Sequence, residues 1–390
     1  MTKTFIDLFA GAGGISCGLE MAGFPCLLGV DKDKTAMDTF QLNHPYAKTI
    51  AGDLSQISLT EIKESISEQK VNLICGGPPC QGFSTIGQNN QEDNRNFLFL
   101  NFLHLVEFFQ PDYVLMENVT GLLSRKNEPT LTAIIQSFTD IGYTIDVKVL
   151  AAHHYGVPQK RRRTIFLGNK FGVSNIYPPQ LYKDSAKDNA NLPNPKTVKW
   201  AFENLLEFQG KTFNHDLEKA KILNKLEEKR LSYIPEGKSI RYEKDQLAYL
   251  PQELWFDVDW KSIHEARFRE AKLQRLDSNA PANTLNTSRT TYYHPKENRY
   301  LTVREAAAIQ SFPPNYIFCG SLTQQWRQVG NAVPPLLAKA LAESILELDQ
   351  SKKTFPPATS VTDISQIRAQ AFDYKIRGNA LEIGGLKSHA

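Results

Sequence analysis

The sequence predicts an α/β fold: a doubly wound, mostly parallel sheet followed by a second, smaller domain. Three observations carry this. Short apolar runs alternate with helical patterns over residues 1–150, glycine-rich segments follow two of those runs, and near residue 170 the alternation gives way to a stretch dense in Pro, Asn, Lys and Asp. Strands that alternate with helices pair in parallel, because each crossover returns the chain to the same end of the sheet and lays a helix on one of its faces. The 390 residues are 41% hydrophobic and 22% charged, which supplies core for about two domains.

The elements follow in order. Residues 4–8, 27–30, 71–75, 113–117 and 144–150 are apolar runs of strand length, and 163–168 (RTIFLG) is another. Helices are predicted over 14–22, where Ile15, Leu19 and Ala22 share a face, over the strongly apolar 96–109, and over 131–141. Residues 171–200 read as an irregular connection, 215–231 (HDLEKAKILNKLEEKRL) as one charged amphipathic helix, and 232–275 mix aromatic with basic residues. Order returns with helices over 302–310 and 335–348, and a last helix over 363–377 is stopped by Gly378. The chain thus divides into a domain at 1–170, a smaller one at 171–275, a return segment at 276–350 that completes the first, and an extension at 351–390.

Composition excludes several classes. No charge-free apolar stretch reaches the about 18 residues a spanning helix needs. The start, MTKTFIDLFAGAGG, carries a Lys and then an Asp inside its apolar run, unlike a secretory leader, so a cytoplasmic protein without a membrane partner is expected. The five cysteines (17, 26, 75, 80 and 319) form no CxxC pair, which suits a reducing compartment and disfavours a cysteine metal site. The net charge of +3 conceals an asymmetry: Lys+Arg against Asp+Glu is 10 to 17 over 1–150, 23 to 16 over 151–275, and 12 to 9 over 276–390. The plain reading is solvated helix faces; the sharper one is a basic half that faces a polyanion.

Residues 7–14, DLFAGAGG, follow the first strand and open the first helix, where glycines admit a ligand to the backbone and the helix N-terminus favours an anionic group. Asp31 and Asp33 end the second strand, where a carboxylate can accept ribose hydroxyls, and Asp53 ends a third. These point to a nucleoside-containing cofactor without saying which; the alternative is a tight turn beside surface acids. Residues 76–84, GGPPCQGFS, are more specific. Pro78 and Pro79 stiffen a loop past the carboxyl edge of the sheet, which makes Cys80 an accessible nucleophile, whereas Cys17, Cys26 and Cys75 read as core and Cys319 as structural. Glu117, in the run ENV, ends the next strand on the same edge. A thiol and a carboxylic acid on adjacent strand ends suit nucleophilic addition to a ring whose acceptor atom is protonated. In QKRRR, residues 159–163, Arg161 and Arg163 point one way if the segment is extended, each with a planar donor fork.

The ordered motifs DLFAGAGG, GGPPCQGFS, ENV, QKRRR, RLDSNAPANTL and QVGNAV resemble those of the DNA (cytosine-5) methyltransferases across residues 4–168 and 272–348. The resemblance implies a Rossmann-like domain that uses S-adenosylmethionine and releases S-adenosylhomocysteine, no metal, and a target-recognition domain at 171–275. Phe9, Gly11, Gly13 and Gly14 would hold the amino-acid end of the cofactor, Asp31 its ribose where many relatives use Glu, and Asp53 and Leu54 its adenine. Pro79, Leu98, Asn331 and Ala332 would complete that pocket, while Lys32 stands where some members place an aromatic residue. Cys80 would attack carbon 6 of a flipped cytosine, Glu117 would hold its N3, and Arg163, assisted by Arg161, would contact its O2. Gln81, Ser84, Arg95 and Gln159 would meet DNA, the loop 83–96 would close over the base, and Arg241, Arg267, Arg269 and Gln274 would be candidate base contacts. Double-stranded DNA is the implied partner of a monomer of the bacterial restriction-modification type, whose companion endonuclease acts on the same sequence without a stable complex. Three rivals compete. A tRNA methyltransferase of this fold carries a Cys-Phe-Thr tripeptide absent here, an inactive DNA-binding homologue is opposed by Cys80, Glu117 and Arg163, and a nicotinamide oxidoreductase has no use for Cys80.

Overall fold

Four consecutive buried residues, Phe5–Leu8, form β1, and the sheet is laid down on both sides of it. The computed structural model describes residues 2–79, 95–184, 191–354 and Pro357. In it the seven strands run in the order β3-β2-β1-β4-β5-β7-β6, with β2 at Cys26–Asp31, β3 at Lys48–Ala51, β4 at Leu73–Gly76, β5 at Tyr113–Asn118, β6 at Thr144–Ala151 and β7 at Arg162–Asn169. The strands from β3 to β5 pair in parallel, and β7 runs antiparallel to both β5 and β6. The predicted doubly wound, mostly parallel sheet is therefore present. The order reverses between β1 and β4, and ligands of such sheets bind beyond the carboxyl ends of the strands at that point. β3 carries no apolar run because it is an edge strand, with Lys48 and Ala51 exposed; its sequence signals it only through Asp53 beyond its end.

Helices α1 (Gly14–Met21), α2 (Lys34–Asn43), α3 (Leu59–Ser65), α4 (Arg95–Phe109) and α5 (Glu128–Asp140) cover the sheet. Asp33 starts α2 by accepting the amides of Thr35 and Ala36, and Ser58 starts α3 by accepting that of Glu61. Ile6, Leu8, Ile74, Val114 and Met116 from the strands bury against Phe99, Phe102 and Val106 of α4 and against Leu131, Ile134 and Phe138 of α5. Phe138 meets Phe99 and Phe102 edge-on, at centroid distances of 5.8 and 6.4 Å.

A second unit comprises residues 156–161 and 182–332. It contains α6 (Val198–Glu207), α7 (Lys225–Ser232), β8 (Ile240–Tyr242), α8 (Glu243–Tyr249), β9 (Arg267–Lys272), β10 (Gln274–Arg275), β11 (Tyr292–Tyr293), α9 (Val303–Ile309) and α10 (Leu322–Asn331). Its extent differs from the expected 171–275. Residues 276–332 pack within it, and 171–181 stay with the sheet. The physical reason lies in buried arginines. Arg275 donates to the carbonyls of Leu231, Ile234 and His294 and to Asn298, and Arg304 donates to those of Phe213, Pro313 and Tyr316. These bonds knit the expected return segment to the segment expected over 171–275. The helix expected over 215–231 begins only at Lys225, because Asn224 caps it by accepting the amides of Leu226 and Glu227, and Asp216 turns the preceding segment by accepting that of Lys219.

From Val333 the described chain belongs to the first unit again, and α11 (Pro335–Ser351) packs on α1. The contact is close enough that a Cβ on Gly18 would collide with Pro335 O and the Ala338 Cβ. The helix expected over 363–377 lies outside the described residues. Among those described, no helix is long and apolar enough to cross a membrane.

Candidate active site

The chain leaves β1 through a loop that ordinary residues resist: Phe9, Gly11 and Gly13 have φ of 62°, 54° and 82°. Glycine takes such angles freely; Phe9 is held there by its surroundings. The loop is fastened at Ala10, whose amide donates to Val30 O at 3.0 Å, and at Gly11, whose amide donates to Asp31 Oδ2 at 2.9 Å. A Cβ built on Gly11 would meet nothing within 4 Å, so an open cradle lies over that residue. Asp31, at the end of β2, also accepts the Asp33 amide at 2.8 Å. Burial raises its pKa, and the two amides pull it back only in part. Asp53 is exposed and held low by the Ser55 amide and hydroxyl, while Leu54 beside it is buried. The expected cofactor residues Phe9, Gly11, Gly13, Gly14, Asp31, Asp53 and Leu54 therefore stand at the carboxyl ends of β1, β2 and β3.

On the other side of β1, Gly76 ends β4 so near Leu8 that a Cβ would collide with Leu8 O. A Cβ on Gly77 would lie 3.1 Å from Glu117 Oε2. Glycine at 77 thus leaves room for the Glu117 carboxyl directly beside the path toward Cys80. Pro78 is buried, Pro79 exposed, and the Asn118 side chain donates to Pro78 O at 3.0 Å, which pins the start of that path. Asn118 was not among the expected site residues; its place inside ENV was the available signal. Cys80, Gln81 and Ser84 lie outside the described residues, as does the loop through Asn94 expected to close. Arg95 is the first residue of α4, with a side chain that also lies outside them, and Leu98 is half-buried one turn on.

Glu117 ends β5 and faces its antiparallel neighbour β7, whose Arg163 Nε lies 2.5 Å from Glu117 Oε1. Both side chains are about as accessible as each other, 15% for Arg163 and 14% for Glu117, so the pair is sheltered yet reachable. It presents a carboxyl oxygen and a planar donor fork side by side, a match for a small ring with an acceptor nitrogen next to a carbonyl.

Two expectations need correction. Arg161 does not share the face of Arg163: β7 begins at Arg162, and Arg161 lies in the second unit, where its guanidinium donates to the carbonyls of Leu285, Gly330 and Asn331. With 1% exposure it is a buried brace. Gln159, expected to meet DNA, is fully buried. It donates to Gln310 at 3.0 Å and accepts the Leu285 amide at 2.9 Å, which uses both ends of its side chain. Asn331 ends α10 and Ala332 follows it, both in the second unit. Arg241 lies on β8, and Arg267 and Arg269 on the antiparallel partner β9. Phe268 turns inward onto Phe256 and Trp260, Arg269 is exposed, and Arg267 is engaged by Glu265 at 2.5 Å. Gln274, on β10, is half-buried.

Residues 3–347 match the family model for C-5 cytosine-specific DNA methylase. Type II methyltransferase M1.HphI of Haemophilus parahaemolyticus is 35% identical over 90% of this chain and 89% of its own length. Type II methyltransferase M.DdeI of Desulfomicrobium norvegicum is 34% identical over 87% and 88%. Among solved structures, a chain described as a DNA modification methyltransferase encoded within an E. coli prophage matches with a TM-score of 0.67 at 25% identity, over 90% of this chain and 100% of that one. DNMT2 of Spodoptera frugiperda shares the fold, with a TM-score of 0.56 at 18% identity over 89% of this chain and 99% of its own.

Proposed function

The chain belongs to the C-5 cytosine-specific DNA methylases, and from that premise we propose how its own residues divide the reaction. It is a DNA (cytosine-5) methyltransferase of the Type II modification kind, and its companion is a restriction endonuclease that reads the same sequence without a lasting complex. The enzyme works as a cytoplasmic monomer on duplex DNA. The open cradle over Gly11 and the Asp31 carboxyl beside it fit the amino-acid end and ribose of S-adenosylmethionine, with Phe9, Gly13, Gly14, Asp53 and Leu54 around them. When bound, that cofactor supplies an electrophilic methyl group on a sulfonium.

The target base must leave the duplex, at a cost of about a few kcal/mol. Cys80, as thiolate, forms a bond to carbon 6 of the cytosine, and the electron pair of the 5,6 double bond is driven toward carbon 5. Glu117 supplies the proton held at N3, which makes the ring an electron acceptor, and Arg163 donates to O2. Carbon 5, no longer aromatic, takes the methyl group; loss of its proton to solvent water then restores the double bond and expels the thiolate, and the N3 proton returns to Glu117. Gln81, Ser84 and Arg95 meet the phosphates, and Arg241 and Arg269 of the second unit supply contacts to the duplex.

The observation that supports this reading best is the sheltered Glu117–Arg163 pair beside Gly77, at the strand ends from which the chain runs on to Cys80. Bisulfite sequencing of DNA from cells that express the chain tests it. Protected cytosines within one short sequence are expected; full conversion, with no protected cytosine, overturns it.

A further inference from the structure

Asp7 is a carboxyl group with 1% exposure in the middle of the sheet. It lies on β1 opposite Cys75 of β4 and Gly29 of β2, two residues ahead of Phe9. Its Oδ2 accepts a hydrogen bond from Ser16 Oγ at 2.7 Å; its Oδ1 has no well-formed hydrogen bond among the described residues, with the weak donor thiol of Cys75 as its neighbour on β4. A buried polar atom left in that state costs about 1–3 kcal/mol. An aliphatic side chain would serve the core better, so the carboxyl needs another reason to be there.

The geometry supplies one. Asp7 immediately precedes the glycine loop, and Ser16 lies in the first turn of α1, immediately after it. Their bond closes the loop at its base, with the three positive-φ residues Phe9, Gly11 and Gly13 enclosed between the two ends. Ala10 is tied to Val30 and Gly11 to Asp31, which hold the loop from β2, and the Gly13 amide donates to Ala10 O at 2.9 Å within it; the Asp7–Ser16 bond joins its two ends.

We propose that Asp7 and Ser16 are positioning residues: a clasp across the base of the glycine loop that presets its shape and so sets the affinity for the methyl donor without touching it. This rests on the reading of the loop as the cofactor's seat. The clasp also bears on charge. Burial pushes Asp7 up to about 7, against the opposing pull of Ser16, His44 and Cys75. The groups that face it are His44, paired with Glu20 of α1 at 2.7 Å, the Asp31 carboxyl, and the thiols of Cys75 and Cys26, both pushed up by burial. Asp7, so raised, stands at the foot of the loop read as the cofactor's seat. The methyl donor is a cation at sulfur and its demethylated product is not, so ionised Asp7 favours the donor.

The test is calorimetric titration of the full chain, without DNA, with S-adenosylmethionine and with S-adenosylhomocysteine between about pH 6 and pH 8, joined to amide hydrogen exchange of the ligand-free protein. In the wild type the donor-to-product affinity ratio should rise at least about threefold over that range. Asp7→Asn keeps a hydrogen bond to Ser16 and should keep the pH 6 affinity, but with a shallower rise of the ratio, since Asp31 remains. Ser16→Ala should weaken both ligands about tenfold and speed exchange at residues 8–14. Wild-type affinity and exchange in Ser16→Ala would overturn the clasp, as would an unchanged pH slope in Asp7→Asn. A wild type that binds neither ligand overturns the cofactor reading instead, and the ligand-free exchange still decides the clasp.

Discussion

Asp112 precedes β5 and Glu117 lies near its other end, and the two live in opposite circumstances. Asp112, at the amino end, receives Lys170 Nζ at 3.0 Å, Lys3 and Lys70 at 3.5 Å each, and the Asn72 amide at 2.8 Å. Lys3 also reaches Asp349 of α11, which further binds Lys352 and the Tyr113 hydroxyl. Burial alone would raise Asp112, yet the Asn72 hydrogen bond and the lysines outweigh it and hold it at about 2. Glu117, near the carboxyl end, pairs among the described residues with the one cation Arg163, and Asp7 and Asp31 at that end lean on one hydroxyl and on backbone amides. The difference teaches how the sheet divides its labour. Acids at one end are fully partnered and lock α11 to the strands. Acids at the other end rest on fewer partners among the described residues, and of these Glu117 and Asp31 are the more accessible.

The contrast can be broken at several points. The largest effect belongs to Cys80→Ser, which should lower methylation by more than about a thousandfold while DNA binding persists; near-normal turnover would refute the nucleophile. A 5-fluorocytosine duplex should stay crosslinked to the wild-type chain and not to this variant, as read by intact mass. Next come Glu117→Gln and Arg163→Ala, each expected to cost about a hundredfold or more in kcat with little change in melting temperature. A marked loss of stability without a kinetic effect would place the pair in the structural class instead. Asp112→Asn should do the reverse, destabilising the fold by about 1–3 kcal/mol and leaving cofactor affinity intact. The pH dependence follows in sign. The folded pKa of Asp112 lies below its unfolded value, so its contribution is present above about pH 4 and is lost as pH falls toward 2. Acid unfolding of Asp112→Asn should lack that component. The smallest effect is that of Arg269→Ala, which should reduce the slope of log affinity against log salt by about one if Arg269 contacts a phosphate, or relax the methylated sequence if it reads a base.

The strand ends of the carboxyl edge were legible in the sequence, because motifs such as DLFAGAGG, GGPP and ENV each lie at the end of a buried run. Arg161 and Gln159 were misread for a definable reason. The alternation rule that pairs Arg161 with Arg163 holds only inside a strand, and β7 starts one residue too late. Their real partners, at Leu285, Gln310 and Gly330, lie far along the chain, and a basic run gives no sign that one guanidinium will spend its donors on distant carbonyls. The limit of the second unit was hidden in the same way, since Arg275 and Arg304 pass for ordinary surface charges until the carbonyls they gather are seen.

The contact at Gly18 bears on how the molecule is made. The groove it leaves on α1 is filled by α11, which leaves the ribosome roughly three hundred residues later, after the whole of the second unit. At about 5–20 residues per second that interval lasts tens of seconds. A nascent chain can form its strands early, but the helix beside the glycine loop stays bare until α11 has emerged. A prematurely terminated product should therefore be an aggregation-prone fragment and not a methylase that has lost its sense of sequence.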